Sequence, residues 1–90
     1  MEIITSRQNP KIKEIRKLIA DKKARAEGGL FWVDGVNFVA QAVENKWAIE
    51  TLVYVPELSD SDFKKRVIEL VANEKRLAVD KEIYADLAIK

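Results

Sequence analysis

From Gly28 onward the chain alternates between short, continuously apolar runs and segments whose apolar residues recur every three or four positions. Few folds accept that alternation. Leu30 to Val33 is bounded by glycines and reads as a buried strand; Val36 to about Asn45 reads as a helix with Val36, Val39, Ala40 and Val43 facing inward. Ile49 to Val55, rich in β-branched residues and closed by Pro56, is a second strand. Ser59 or Asp60 then caps a helix carrying a stripe of Phe63, Val67, Leu70 and Val71. Leu77-Ala78-Val79 is a third strand, and Asp80 caps a terminal helix through about Leu87. Strands separated by helices require crossover connections, hence a mostly parallel sheet between helical layers. The expected class is α/β: a three-layer α/β/α fold with a small, mostly parallel sheet.

Ahead of this alternation lies an extended, polar lead-in and one more amphipathic helix. Asn9 can accept the exposed N–H groups of a first turn, and Pro10 sits where its missing N–H costs nothing. The helix is expected to run from Pro10 to about Ala26, with Gly28-Gly29 ending it. On a helical wheel Ile12, Ile15, Leu18 and Ile19 share an arc of about 120°, with Lys13, Arg16 and Lys17 roughly opposite and Ala20 and Ala24 completing that side. Such a helix packs its aliphatic stripe on a sheet and shows three cations to solvent.

Overall charge conceals this asymmetry. The net value is +1, but residues 1–27 hold eight Lys or Arg against four Asp or Glu, and residues 28–90 hold eight against eleven. Any polyanion-binding surface therefore belongs to the first segment. Lysine and arginine displace counterions from phosphates irrespective of base sequence. Arg7 and Arg25, at the two ends of the helix, can add bidentate contacts that a lysine cannot make. Against this stands the plainer reading of a solvated basic face. Asn9 likewise serves either as a helix cap or as a ligand-reading amide.

Other features favour structural roles. Trp32 is read as core, with base stacking as the lesser alternative. Phe31 and Trp32 alternate, so one points to each sheet face. Asp34-Gly35 reads as a strand-to-helix turn in which Asp34 caps the next helix, and Trp47 as cover for the edge of the core. Lys64-Lys65-Arg66 is diluted by Asp60, Asp62 and Glu69 and reads as a solvated face.

Ninety residues suit one domain, and the 48% hydrophobic content suffices for its core. There is no cysteine and no histidine, which removes thiolate and imidazole ligands and the usual general base. No apolar run approaches the roughly 20 residues of a membrane span. Without an apolar signal region, the chain is expected to be cytoplasmic. No phosphate-cradling glycine loop or nucleophile triad is present.

The ordered set Ser6, Asn9-Pro10, Ile12-Lys13, Arg25, Gly29 and Leu30-Phe31-Trp32-Val33-Asp34-Gly35 resembles the opening of the SpoU (TrmH) family of RNA 2′-O-methyltransferases. Those enzymes often begin Ser-x-x-Asn-Pro-x-Ile-Lys, continue through a basic helix ending near an Arg, and then form a short strand closing on Glu-Gly. Asp34 stands where Glu is usual, and Ala24 where an aromatic often precedes the Arg. The resemblance implies an RNA-substrate-binding domain with the fold of kink-turn-binding ribosomal proteins. The RNA is expected to be ribosomal, with transfer RNA as the alternative. Arg7, Asn9, Lys13, Arg16, Lys17 and Arg25 are the candidate RNA-binding residues.

In that family catalysis belongs to a knotted C-terminal domain that binds S-adenosylmethionine and carries an Asn-x-Gly-x-x-Arg motif. The motif does not occur here, so the chain itself is expected to be catalytically silent and to hold no cofactor or metal. Its end at Ile89-Lys90 suggests a fragment cut near a domain boundary, monomeric alone and homodimeric in the full-length parent. Two other classes stay open: a stand-alone RNA-binding protein of the kink-turn type, and a protein–protein interaction module.

Overall fold

Asn9 and Pro10 start the first helix as their chemistry dictates. In the computed structural model, which describes residues 2–30, 32–33 and 35–88, the Asn9 side chain accepts the Lys11 N–H at 2.9 Å. Pro10 then opens α1, Pro10–Ala20. The helix does not continue to Ala26. Asp21 leaves helical geometry, with φ −113° and ψ 100°, and a second helix, α2, covers Lys22–Gly28.

The break is built by two side chains. The Asp21 carboxylate accepts the N–H groups of Lys23 and Ala24 at 3.0 and 3.2 Å, capping α2. Arg25 reaches back, and its Nη1 donates to the carbonyls of Leu18, at 2.7 Å, and Ile19. These are among the last carbonyls of α1, which a helix end leaves without intrahelical donors. A short acidic side chain that caps one helix thus competes with continuation of the previous one.

Gly29 ends α2 in the left-handed region, φ 68°. Its N–H donates to Ala26 O and the Leu30 N–H to Arg25 O, the paired bonds of a Schellman motif. The third helix, α3 (Val36–Glu44), ends the same way. Lys46 N–H donates to Val43 O and Trp47 N–H to Ala42 O. Here the left-handed position, φ 58°, is held by Lys46 rather than glycine.

Among the described residues the sheet has three strands: β1 (Ile3–Ile4), β2 (Leu52–Tyr54) and β3 (Arg76–Val79), in the order β1-β3-β2. Both pairings are parallel, with Ile3 opposite Ala78 and Val53 opposite Leu77. The Asp80 N–H extends the first pairing by donating to Ile4 O at 3.1 Å. This confirms the α/β class and corrects its strand list. Leu30, Trp32 and Val33 are not in a strand, and the first strand is drawn from the lead-in. Phe31 and Asp34 lie outside the described residues, and with them the expected Phe31–Trp32 alternation and the Asp34 cap.

Two further helices complete the architecture, α4 (Asp62–Glu69) and α5 (Lys81–Ala88). Ser61, not Ser59 or Asp60, caps α4, accepting the Lys64 N–H at 3.1 Å. Ser59 instead donates to Val55 O, beside the 3-10 turn Pro56–Leu58, so the chain turns once more before the helix begins. Asp80 caps α5 as expected, accepting the Ile83 N–H at 2.9 Å.

Strand residues alternate between faces, and registered partners in a ladder share one. Ile4, Val53, Leu77 and Val79 therefore point to one side, where α1 and α5 contribute Ile12, Ile15, Ile19, Ile83 and Leu87 to a single cluster. Leu52 and Ala78 point to the other, and both are buried. On that side α3 and α4 supply the buried Ala40, Ala42 and Val67, joined by Val71 just past α4. The expected α4 stripe is only half used. Phe63, in the first turn, is 46% exposed, and Leu70, just past the last, 63%. Trp47 is half exposed and lines the apolar cavity beside Val39, Ala42 and Leu52, at the edge of the core.

Two expectations concern these devices. Lys46→Gly should stabilise the protein by about 0.5–1 kcal/mol in urea unfolding, because relief of left-handed strain exceeds the added chain entropy. Equal or lower stability would show that Lys46 is not strained. Arg25→Ala should cost about 1–2 kcal/mol, since it strands carbonyls bonded to a charged donor. Arg16→Ala, on an exposed face, should stay within about 0.5 kcal/mol.

Candidate nucleic-acid interface

Seating α1 fixes what it displays. Ile12 is fully buried, and Ile15 and Ile19 pack beside it. Helical spacing then turns Lys13, Arg16 and Lys17 away from the sheet, and all three are exposed. Lys13 and Lys17 lie one turn apart on the same face, with Arg16 beside them. Among the described residues none of the three takes part in an ion pair. A helix face with three cations and no anionic partner can bind a polyanion without first breaking an internal contact.

The other candidates are placed differently. Arg7 sits in a turn closed by the Asn9 N–H donating to Ser6 O at 3.2 Å. Its Nε donates to the Asp86 carboxylate, an ion pair that ties the lead-in to α5. Hydrogen bonding and Coulombic attraction to Asp86 raise the Arg7 pKa, with smaller contributions from Glu82 and Asp80. The Arg7 side chain is 52% exposed and that of Asp86 34%, so water screens the pair and it contributes little to stability. Asn9 acts as the α1 cap. Ser6 accepts the Gln8 N–H at 3.1 Å. Arg25 is partly buried and directs Nη1 at the end of α1. Thus the fold brings Lys13, Arg16 and Lys17 together, while Arg7, Asn9 and Arg25 make intramolecular bonds around them.

Sequence reasoning left out Lys22 and Lys23 as candidates. Both are exposed on α2 immediately beyond the break. The signal was Asp21, a strong capping residue placed within what otherwise scans as one long helix.

Elsewhere the chemistry is sparse. Lys64 donates from Nζ to Leu58 O at 2.9 Å, which commits part of the second basic cluster to holding the loop before α4. A cavity of about 430 Å³ lies between α3, α4 and β2, lined largely by aliphatic side chains such as Val36, Val39, Leu52, Val67 and Ile68. Among the described residues no group of three or more acidic, histidine or cysteine side chains is placed to hold a metal ion. No helix of the described residues is long and apolar enough to cross a membrane.

No curated protein and no solved structure matches the chain significantly. A family model, the MRM3-like substrate binding domain, matches residues 9–90. The match begins at the α1 cap and takes in every helix of the described residues, but not β1 or Arg7. It agrees at family level with the SpoU resemblance, because MRM3 is a SpoU-like methyltransferase. Running through the basic helix and on to the last residue, this match shows that the chain belongs to the MRM3-like substrate binding domain family.

Proposed function

We propose that the domain grips structured RNA, ribosomal RNA first and transfer RNA as the alternative, for a SpoU-like 2′-O-ribose methyltransferase acting in the cytoplasm. The carrying observation is the α1 face of Lys13, Arg16 and Lys17, exposed and without an ion pair among the described residues. Binding there rests on phosphate neutralisation, which supplies affinity and orientation rather than base reading. Methyl transfer and S-adenosylmethionine binding belong to a catalytic domain of the parent protein, where an Asn-x-Gly-x-x-Arg motif is expected. The present chain serves to hold the target ribose within reach of that domain. Asn9 and Arg25 support the grip by fixing the two ends of α1, and Arg7 by tying the lead-in to α5. The isolated domain is read as a monomer and the parent as a homodimer.

A second reading, a protein-interaction module, draws on exposed apolar side chains of α3 and its neighbours: Phe38 is 62% exposed and Trp47 50%. Scattered apolar exposure is common on soluble domains, which leaves RNA binding the better supported reading.

Lys13→Glu combined with Lys17→Glu separates the two. Affinity for a labelled RNA hairpin should fall on the order of a hundredfold near 0.1 M salt, and the log–log salt slope should become shallower by about 1.5. Thermal unfolding should be unchanged, since both positions are exposed. Undiminished RNA affinity in the folded double variant would remove α1 from the site.

A further inference from the structure

We infer that the cavity beside β2 is an open strand position, filled in the parent protein by the segment that continues the chain beyond α5. The inference rests on the reading of this domain as part of a longer methyltransferase, and not on where RNA binds.

The walls show where in the fold the cavity lies. Leu52 and Val53 point to opposite faces of the sheet, yet both line it. So do Tyr84 of α5, in one helical layer, and Val39 of α3 and Val67 of α4, in the other. A space that touches both faces of a strand and both covering layers lies beyond that strand's edge, in the plane of the sheet. Among the described residues β2 is the last strand on this side, and it pairs with β3 alone. An edge strand presents backbone N–H and C=O groups that a further strand can pair. The volume of about 430 Å³, within largely aliphatic walls, suits a few apolar residues in extended form.

Connectivity names the occupant. Crossovers between parallel strands are right-handed. The β2-α4-β3 crossover moves from β2 to β3 with its helix in the layer of α3 and α4. A crossover through the opposite layer must therefore move the opposite way across the sheet. α5 follows β3 and packs in that opposite layer, with α1. The strand after α5 is thus directed from β3 back past β2, and the first open position it meets is the cavity. Alternating apolar side chains there meet α5 on one face and α3 and α4 on the other, while the backbone pairs with β2. Joined in this way, the catalytic domain leaves from the sheet edge, at a fixed place relative to α1, instead of swinging from the end of α5.

Hydrogen exchange tests this on the 90-residue domain, the same domain extended by roughly 15 residues of the parent, enough for a loop and one strand, and the parent itself. Residues 49–55 should exchange at least about tenfold more slowly in both longer chains, with α1 changing less. The extension should raise Tm by about 5 °C or more. Val39→Phe supplies a test of sign. It fills the void of the 90-residue domain and should raise its Tm, but should lower that of the extended chain, where the space is already taken.

Equal exchange at residues 49–55 in all the chains overturns the inference. So does protection that rises with concentration of the unextended domain, the mark of a second copy. Protection confined to the parent also overturns it, being the mark of docking by the whole catalytic domain. A reading frame that stops at Lys90 removes the occupant, and the inference with it. The exchange result decides the matter even if Val39→Phe fails to fold. No RNA enters these measurements, so their failure leaves the RNA reading standing, and failure of the Lys13, Lys17 double variant leaves this inference standing.

Discussion

Everything that the amino-terminal helix displays depends on how Ile12 is seated. Its side chain is fully buried in the cluster formed with Ile4, Val55, Val79, Ile83 and Leu87, which joins strand ends to α5. A buried isoleucine of this kind resists truncation by about 2–5 kcal/mol, a large share of a small domain's stability. One deeply buried position fixes the rotation of the helix, and rotation decides which residues face water. Lys13, Arg16 and Lys17 are presented as a group because Ile12, Ile15 and Ile19 are not.

The same economy recurs at helix ends, where arginine closes what the backbone leaves open. Arg25 donates to the last carbonyls of α1. Arg76, the first residue of β3, donates from Nε to Val71 O at 2.9 Å and from Nη2 to Glu69 O at 3.2 Å, closing α4. Both helices stop where the chain must redirect, one toward α2 and the other toward β3. Arginine suits the task because its planar fork meets two acceptors at once and stays charged. A count of basic residues therefore overstates the charge available to a ligand. Arg25 and Arg76 spend donors internally, Arg7 answers Asp86, and Lys64 bonds Leu58.

What could be read from sequence was what the chain specifies locally. Asn9-Pro10 marks a helix start through its own side chain and its missing N–H, and the Ile12 stripe repeats over two turns. Asp80 and the Leu77–Val79 run were legible for the same reason. β1 was not. Ile3-Ile4 is too short to show a period, and its partner is Ala78-Val79, at the far end of the chain. Leu30, Trp32 and Val33 misled in the opposite sense: an apolar run reads as a strand whether or not a neighbour is available to pair with it. The Asp21 break left a visible trace in Asp21 itself, a strong capping residue inside an otherwise helical pattern. Arg25 could not be assigned locally because its acceptors exist only once that break has formed. For the candidate site, then, the exposed trio was legible from periodicity, whereas the bonds that occupy Arg7 and Arg25 depend on tertiary structure.

The central claim is spatial: RNA meets the solvent face of α1 that carries Lys13, Arg16 and Lys17, turned away from the aliphatic stripe. Amide and side-chain chemical-shift mapping of the 90-residue chain during titration with an RNA hairpin tests it most directly. The account predicts shifts concentrated at Lys13, Arg16 and Lys17, with Ala40, Val67 and the surrounding α3 and α4 amides left in place. Shifts gathered instead around Phe38, Trp47 and Phe63, with the basic face of α1 silent, would contradict it.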